Sequence, residues 1–413
     1  MLRIILVILI LGMGGFLIVR NINLKKQLKN GEITEITPKD FLPFGSNGSG
    51  STFKEIIKEI TGGNNNNEDN KTQKKNITKI SENVAGAILT EVQDEVAGPT
   101  GKDINGKDIY EMTQSIRYVI KENGYVYDYL PKYDKSYLIS DTPIPKVSYA
   151  HFSPDGNTIL FQYLEENLIT EKSILGTLGK QNVTLLPDNI ISYAFSKSGK
   201  FAYTQKTTTG AKIIIKNTDT GVENQIYTTP ITEWNLQFLG EDQLLITTKA
   251  SEYSNGFAYT IDINTKKVSK LWSNITALTT KTSLGGKFIL SAKTLPSGPE
   301  LSLYDVKKGT PYKLDKMGMV EKCSFSQDET ILTCAVPAKF TANPYPDDWY
   351  LGIIKTNDTI VRYTTENKNY SVVGSLSNEL NKDIDVWELS TNNSGNIVSF
   401  IDKSNMDLYV YEE

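Results

Sequence analysis

Short runs in which apolar and polar residues alternate follow one another along most of the chain, a pattern typical of β-strands that bury one face. One stretch reads ISYAFS, KFAYTQK, AKIIIKNT and ENQIYTT, with turn sequences rich in Gly, Asp, Ser and Thr between the runs. The next stretch gives WNLQF, QLLITT, GFAYTIDI and KVSKLWS. The pattern therefore predicts repeated units of four strands.

These units recur at a constant spacing. Equivalent turn anchors lie 43, 43, 44 and 43 residues apart, and a sixth copy at Leu389 follows 64 residues later. A period of about 40–45 residues is the length of one four-stranded propeller blade. With a partial first copy, the repeats predict an all-β fold, a seven-bladed β-propeller over residues 81–413, with six or eight blades as alternatives. The anchors are Phe152, Phe195, Phe238, Thr282 and Phe325.

The last copy ends one strand short, at Glu413. A spare run, AILTEV at residues 87–92, precedes the first copy. We expect this run to supply the missing outer strand, so that both ends of the chain seal the ring.

The chain before the repeats has a different character. Ile4 to Val19 is an uncharged, mostly apolar run between Arg3 and Arg20. A helix of this length spans about 24 Å, slightly less than a ~30 Å hydrocarbon core. No small-x-small cleavage site follows, so we expect residues 1–20 to be an N-terminal signal anchor, a single-pass membrane helix with the propeller outside the cytoplasm. Cleavage with secretion, and the opposite orientation, remain alternatives because positive charges flank both sides.

Residues 21–80 are rich in Asn, Gly and Ser, which predicts a flexible, disordered linker. Within it, residues 51–61 carry apolar side chains at helical spacing after a capping-box Thr52, which predicts one short amphipathic helix. The helix packs on the domain or, alternatively, docks on a membrane or a partner.

The composition excludes several kinds of ligand and catalytic site. Lys and Arg total 44 against 48 Asp and Glu, so the net charge is −4, and no basic stripe indicates a nucleic-acid partner. The single histidine, His151, excludes two-His metal sites, and no GxSxG elbow or P-loop occurs. We therefore expect no metal, no cofactor and no enzyme, and we interpret His151 as a satisfied core or channel residue.

The FSPDG turn at Phe152 and its diverged copies resemble the TolB-type, WD40-like propeller repeat. The stretches VAGPTG, IRYVIKENGYVYDYL, YPDDWYLG and DIDVWELS further resemble a group of membrane-anchored propellers of candidate-phylum bacteria. That group carries no assigned activity, so the resemblance implies architecture and a membrane location but no chemistry.

Two long connections suggest a binding face. In a propeller, the loops between the second and third strands (b–c) and those between blades (d–a) share one face, and residues 337–350 and 364–385 are such loops of the sixth blade. Both loops should therefore lie side by side. Other loops of this face add Glu165, Glu166, Tyr253 and Asn255. We predict a protein or glycan site there, or else a loop that only plugs the channel. The candidate residues are Phe340, Tyr345, Asp347, Asp348, Trp349 and Tyr350.

The spacing of two further groups of residues indicates what they can form. Cys323 and Cys334 should lie directly opposite each other on adjacent inner strands, which predicts a disulfide, with two free thiols as the alternative. Asp347, Asp348, Asp383 and Asp385 offer oxygen ligands for Ca²⁺, but they lack a DxDxDG order, and a solvated acidic rim is favoured.

Together these features predict a membrane-tethered, extracytoplasmic propeller that binds or scaffolds an unknown envelope protein or glycan. The alternatives are a carbohydrate-active propeller enzyme, such as a glycan hydrolase or lyase, and a purely structural spacer.

Overall fold

The computed structural model describes residues 76–413 apart from 145, 166–170, 181–182 and 189. These residues form seven four-stranded antiparallel sheets and one two-stranded hairpin. Contacts between sheets are concentrated at the first strand of each sheet. The sheets therefore radiate from a central axis as the blades of a seven-bladed β-propeller, as the repeat predicted.

We label the strands of each blade a to d from the axis outward. The a strands of blades 1 to 7 are Val84–Gln93, Val147–Phe152, Ile190–Phe195, Trp234–Phe238, Thr279–Thr282, Cys323–Phe325 and Val386–Thr391. The b strands are Met112–Ile120, Thr158–Leu164, Lys200–Thr207, Gln243–Thr248, Phe288–Leu295, Ile331–Pro337 and Ile397–Asp402.

The outer strands complete each blade. The c strands are Val126–Leu130, Glu171–Thr177, Gly210–Asn217, Asn255–Asp262, Gly298–Asp305, Asp358–Thr364 and Asp407–Glu412. The d strands are Lys135–Ser140, Val183–Leu185, Glu223–Thr229, Val268–Thr276, Thr310–Met317, Tyr370–Ser375 and, for blade 7, Ile77–Ser81.

A few short elements lie outside the blades. A hairpin of Gly101–Lys102 and Asp108–Ile109 projects from the a–b connection of blade 1. Two helices, α1 (Asp347–Tyr350) and α2 (Leu376–Leu380), lie in the b–c and d–a loops of blade 6, and 3₁₀ turns cover Pro131–Tyr133 and Val320–Lys322. The d–a loop is shorter than the predicted 364–385, because Tyr370–Ser375 within that range forms strand d.

The ring closes through the two ends of the propeller, but not with the expected strand. Ile77–Ser81 pairs antiparallel with Asp407–Glu412, with Ile77 opposite Tyr411, and so supplies the outer strand of blade 7. AILTEV instead lies within Val84–Gln93, the inner strand of blade 1. The prediction was wrong for this strand, and the propeller begins at Ile77 rather than at residue 81.

The repeat signature has a local cause. In the turn of blade 2, the Ser153 hydroxyl accepts a hydrogen bond from Thr158 N at 2.8 Å, and Gly156 adopts φ 73°. Ser283 and Ser326 accept equivalent bonds from Phe288 N and Ile331 N. The serine thus satisfies the first backbone donor of strand b, which explains why the motif recurs in blades 2, 3, 5 and 6.

Apolar residues pack between the blades rather than inside any one of them. In the described part of the chain, seven buried clusters each span two neighbouring blades. A smaller cluster of Met319, Tyr345 and Trp349 lies under the long b–c loop of blade 6. Stacked sheets bury both faces only when the ring is complete, so closure is a condition of stability.

No helix among the described residues is long and apolar enough to cross a membrane. The predicted anchor (1–20), the helix at 51–61 and all of the linker before Asn76 lie outside the described residues.

Candidate functional site

The a strands enclose a central channel that contains a cavity of about 740 Å³. The b–c and d–a loops meet at one end of it, which we call the upper mouth. Glu321 and Tyr350 line this end, since the first lies in the turn leading into blade 6 and the second in its b–c loop. The a strands end at the opposite mouth, where the cavity lining is mainly apolar. Its residues there include Pro154, Phe195, Phe238, Leu284 and Phe325.

Polar side chains between the two mouths join neighbouring blades. The Gln237 amide donates to Thr280 O at 2.6 Å and accepts from Thr282 N at 2.7 Å, so that it pairs with the next a strand like a piece of backbone. Lys281 Nζ donates to Cys323 O at 2.5 Å, and burial lowers the pKa of this lysine. The channel wall is therefore held together partly by side chains that also line the cavity.

Glu321 has one occupied and one free carboxylate oxygen. Its Oε1 accepts a hydrogen bond from the Tyr350 hydroxyl, whereas Oε2 is buried and has no partner in the structure. Burial raises the pKa of this carboxyl group. An unpaired buried acceptor costs about 1–3 kcal/mol, so the free oxygen is a site where a ligand donor would be favoured.

Glu388 lies in a β-bulge in strand a of blade 7, next to the channel wall. Glu388 and Leu389 together occupy one pairing position between Trp387 and Ser390, and Glu388 adopts φ 49°. A non-glycine residue in this left-handed region costs about 1–3 kcal/mol. Bulges of this kind re-aim side chains. Here the carboxylate points toward blades 1 and 2, and burial raises its pKa to about 8.

A glycine makes room for this contact. A Cβ at Gly86, in strand a of blade 1, would lie 1.9 Å from Ala150 O and 3.3 Å from Glu388 Oε2. Without that Cβ, Glu388 Oε1 comes within 3.6 Å of His151 Nδ1, across the inner strand of blade 1. Blades 7 and 2 thus contribute to one site although blade 1 separates them.

His151 lies in an aromatic row. Its ring stacks on Tyr149 at 6.1 Å and meets Tyr193 at 4.7 Å, and Tyr149 in turn packs edge-on against Trp387. Burial lowers the pKa of His151 to about 4. The sequence indicated a channel histidine but offered no partner, because a bulge at Glu388 leaves no recognisable pattern in the sequence.

The predicted aromatic loop folds down onto the propeller. Tyr345 and Trp349 are 2% and 1% exposed, and Phe340 packs edge-on against Tyr345 at 4.9 Å. A Cβ at Gly298 would lie 2.5 Å from the Phe340 ring, so the glycine of blade 5 leaves space for it. The rings of Tyr345 and Trp349 are therefore held in a core, which agrees with the alternative that the loop packs on the propeller.

The other loop residues have separate roles. Asp347 Oδ2 accepts from Glu252 N at 2.8 Å, and Asp348 Oδ2 accepts from the Asn343 amide at 3.1 Å. Tyr350 is 40% exposed at the upper mouth, where its hydroxyl meets Glu321. Of the six candidates, Tyr350 alone is described as lining the central cavity.

Beneath this loop lies a second buried charged group, which we call the blade 6–7 cluster. Lys322 is fully buried, and its Nζ contacts Asp358 Oδ2 at 2.6 Å, Asp385 Oδ1 at 2.5 Å and the Thr356 hydroxyl. Trp349 Nε1 donates to Asp385 at 2.9 Å. These contacts tie the turn before blade 6, its b–c loop and the d–a loop together.

The structure also locates the remaining predicted residues. Tyr253 is 81% exposed, Glu165 Oε1 lies 3.6 Å from Lys172, and Asn255 accepts from Thr276; Glu166 falls outside the described residues. Cys323 and Cys334 are register partners, as the spacing predicted, and their sulfurs are bonded at 2.06 Å.

No family model and no curated protein matches this chain. Solved propellers are similar in fold. An oligogalacturonate lyase in complex with manganese has a TM-score of 0.53 at 8% identity, covering 81% of this chain and 92% of that chain. An oligogalacturonate lyase from Vibrio parahaemolyticus has a TM-score of 0.49 at 9% identity, covering 81% of this chain and 93% of that chain. TolB from Acinetobacter baumannii has a TM-score of 0.41 at 12% identity, covering 79% of this chain and 80% of that chain. At such identities the likeness shows the fold alone.

The manganese of the first neighbour is not matched here. The described residues contain no group of three His, Cys, Asp or Glu side chains that could hold a metal ion. Asp385 is committed to Lys322, and Asp347 and Asp348 to backbone and amide donors, so these carboxylates do not converge on a Ca²⁺ site.

Proposed function

We propose that this protein is a binding module of the cell envelope, held at the membrane by residues 1–20 and taking a protein or glycan ligand at the upper mouth of its channel. One observation carries the binding role: Lys281, Glu321 and Tyr350, contributed by different strands and loops, converge on one cavity of about 740 Å³. A pocket with a few convergent polar groups is the usual form of a ligand site.

The experiment is affinity capture from the envelope fraction of the source cell with the full chain as bait. A Lys281→Met/Glu321→Gln variant removes both channel charges without changing the net charge. A Glu300→Gln/Lys313→Met variant removes an ion pair (2.5 Å) from outer strands of blade 5 and serves as the matched control. A partner retained by wild type and control but lost from the channel variant supports the proposal; capture unaffected by the channel variant contradicts it.

The tether is tested separately. Protease added to intact cells should digest residues of the linker and release a propeller-sized fragment if the propeller faces outward. Protection of the full chain until the cells are lysed would contradict the outward orientation.

A carbohydrate-active enzyme is the second candidate, and Glu388 is the observation that favours it. A carboxyl group with a pKa of about 8 is protonated at neutral pH, which is what a general acid requires. Turnover of polysaccharide mixtures by the full chain, lost in Glu388→Gln but retained in the control variant, would favour the enzyme over the binding module.

A further inference from the structure

We propose that the channel ligand is an uncharged, hydroxyl-rich molecule, a neutral oligosaccharide, bound through Glu321, Lys281 and Tyr350. This inference rests on the proposed function, because it assumes that the channel is the binding site, and it adds the chemical class of the ligand.

The first argument is the hydrogen bonding left open in the cavity wall. Glu321 Oε2 is a buried acceptor with no hydrogen-bond partner in the part of the chain that the structure describes. Lys281 carries three N–H donors, and Cys323 O is its one hydrogen-bond acceptor among the described residues. A sugar hydroxyl both donates and accepts, so neighbouring hydroxyls can satisfy a carboxylate and an ammonium that face the same space.

The second argument is the balance of charge. Lys281 and Glu321 interact electrostatically across the cavity and have opposite signs. Burial keeps His151 uncharged at neutral pH and keeps Glu388 mostly protonated. A ligand with a net charge would therefore leave one buried charge without compensation, whereas a neutral ligand preserves the existing balance.

The third argument is the shape of the lining. Tyr350 is 40% exposed at the upper mouth, Tyr193 lines the wall, and the rings of Phe195, Phe238 and Phe325 follow toward the opposite mouth. Flat apolar faces beside a few directed polar groups match the alternating C–H and O–H surfaces of a sugar ring.

The test is ligand-observed saturation-transfer NMR and calorimetry on the full chain, in a detergent that lacks a sugar headgroup. The probes are three neutral hexasaccharides (chitohexaose, cellohexaose and maltohexaose), an anionic one (a galacturonate hexamer) and a cationic one (a glucosamine hexamer). We expect a neutral hexasaccharide to bind and the two charged ones to bind at least tenfold more weakly.

Matched variants assign the contact to these side chains. Glu321→Gln keeps the size of the side chain and Lys281→Met keeps its length, and each should weaken binding at least tenfold, while Glu300→Gln/Lys313→Met should not change it. An unaltered melting temperature for Glu321→Gln shows that the loss is local.

Three results would overturn the inference. They are tighter binding of a charged hexasaccharide, binding that Glu321→Gln does not change, and no binding of any neutral hexasaccharide. If the channel variant still loses a captured envelope protein, the ligand is a polypeptide and the proposed function survives without this inference. If capture is also independent of the channel, both fail.

Discussion

Two lysines in neighbouring blades, one fully buried and one partly buried in the channel wall, have opposite surroundings. Lys322 touches two carboxylates and a hydroxyl in the blade 6–7 cluster and has no exposed surface. Among the described residues, Lys281 makes one hydrogen bond, to a backbone carbonyl, and it lines a cavity. The first amine is surrounded by protein groups, whereas the second retains donors for something outside the protein.

The carboxylates differ in the same way. Asp385 receives bonds from Lys322, Trp349 and Thr356, while Glu321 keeps one oxygen free and Glu388 is held in a strained bulge with a raised pKa. Burying charge is costly unless it is paired, so the two regions lead to different conclusions. The blade 6–7 cluster fastens two long loops, whereas the channel group has polar atoms with few protein partners, which is why we propose it as the ligand site.

The largest expected effect comes from removing the amine of the blade 6–7 cluster. Lys322→Met leaves two buried carboxylates uncompensated and should lower the free energy of unfolding by about 3–5 kcal/mol. Lys281→Met is the matched variant and should cost less, because it removes one hydrogen bond to a backbone carbonyl instead of contacts with two buried carboxylates. Denaturant unfolding of both variants measures the difference, and equal losses would remove the distinction between the two regions.

The disulfide comes next. Cys323 and Cys334 close a loop of 11 residues' separation, and replacing both with alanine should cost about 3 kcal/mol. Cys323 O also accepts a hydrogen bond from Lys281, so the double variant tests whether the disulfide is needed to position that lysine. If stability falls but ligand affinity does not, the backbone of blade 6 holds Lys281 in place without the disulfide. A melting temperature equal to that of the wild type would contradict the expected contribution.

The pH dependence of stability should report on Glu388. Its pKa is raised to about 8 in the folded state, so its stabilising protonated form is fully present below about pH 4.5 and its contribution is lost as the pH rises toward 8. Glu388→Gln should therefore gain stability relative to wild type across this window and level off above it. Melting temperatures between pH 4.5 and 9 provide the test, and a difference that does not vary with pH would contradict the raised pKa.

The shifted pKa of His151 affects the pH dependence of stability on the acidic side. Its pKa is lowered to about 4, so the unfolded chain binds its proton first and stability falls as the pH drops from about 6.5 to 4. His151→Gln should reduce that decline.

The smallest effect on stability is expected for Tyr350→Phe. The variant removes a hydrogen bond at a partly exposed position, which costs about 1 kcal/mol or less. Ligand affinity should fall more than stability does, since the hydroxyl orients Glu321. A loss of stability without any loss of affinity would assign Tyr350 to the loop instead of the site.

The architecture could be predicted because it repeats. The turn between strands a and b requires a serine acceptor and a glycine at positive φ, so similar residues recur in several blades. The same turn fixes the register of the two strands, which is why the sequence predicted Cys323 opposite Cys334. The closing strand does not belong to the repeat. In the sequence, Ile77–Ser81 and AILTEV are both short apolar runs. Only the structure shows that Ile77–Ser81 is the one that pairs with Asp407–Glu412.

The site could be predicted only in part, because it depends on exceptions to the repeat. Loop length directed attention to the upper mouth and to Tyr350, but it did not reveal that Trp349 donates a hydrogen bond to Asp385 and is buried. Nothing in the sequence distinguishes Lys322 from a lysine at the surface. Glu388 is directed toward blades 1 and 2 by a β-bulge that the alternation of apolar and polar residues does not predict. Side chains that come from separate blades are far apart in the sequence and form no motif of fixed spacing.

The central claim is that the channel charges are accessible and those of the blade 6–7 cluster are sealed. It is tested most directly by acetylating the folded full chain with acetic anhydride over a range of pH and locating the modified lysines by mass spectrometry. We expect Lys281 to react, with an apparent pKa below the ordinary value of a lysine, and Lys322 to react only after unfolding. Equal reactivity of Lys281 and Lys322 in the folded protein, or a Lys281 that is never modified, would contradict the account.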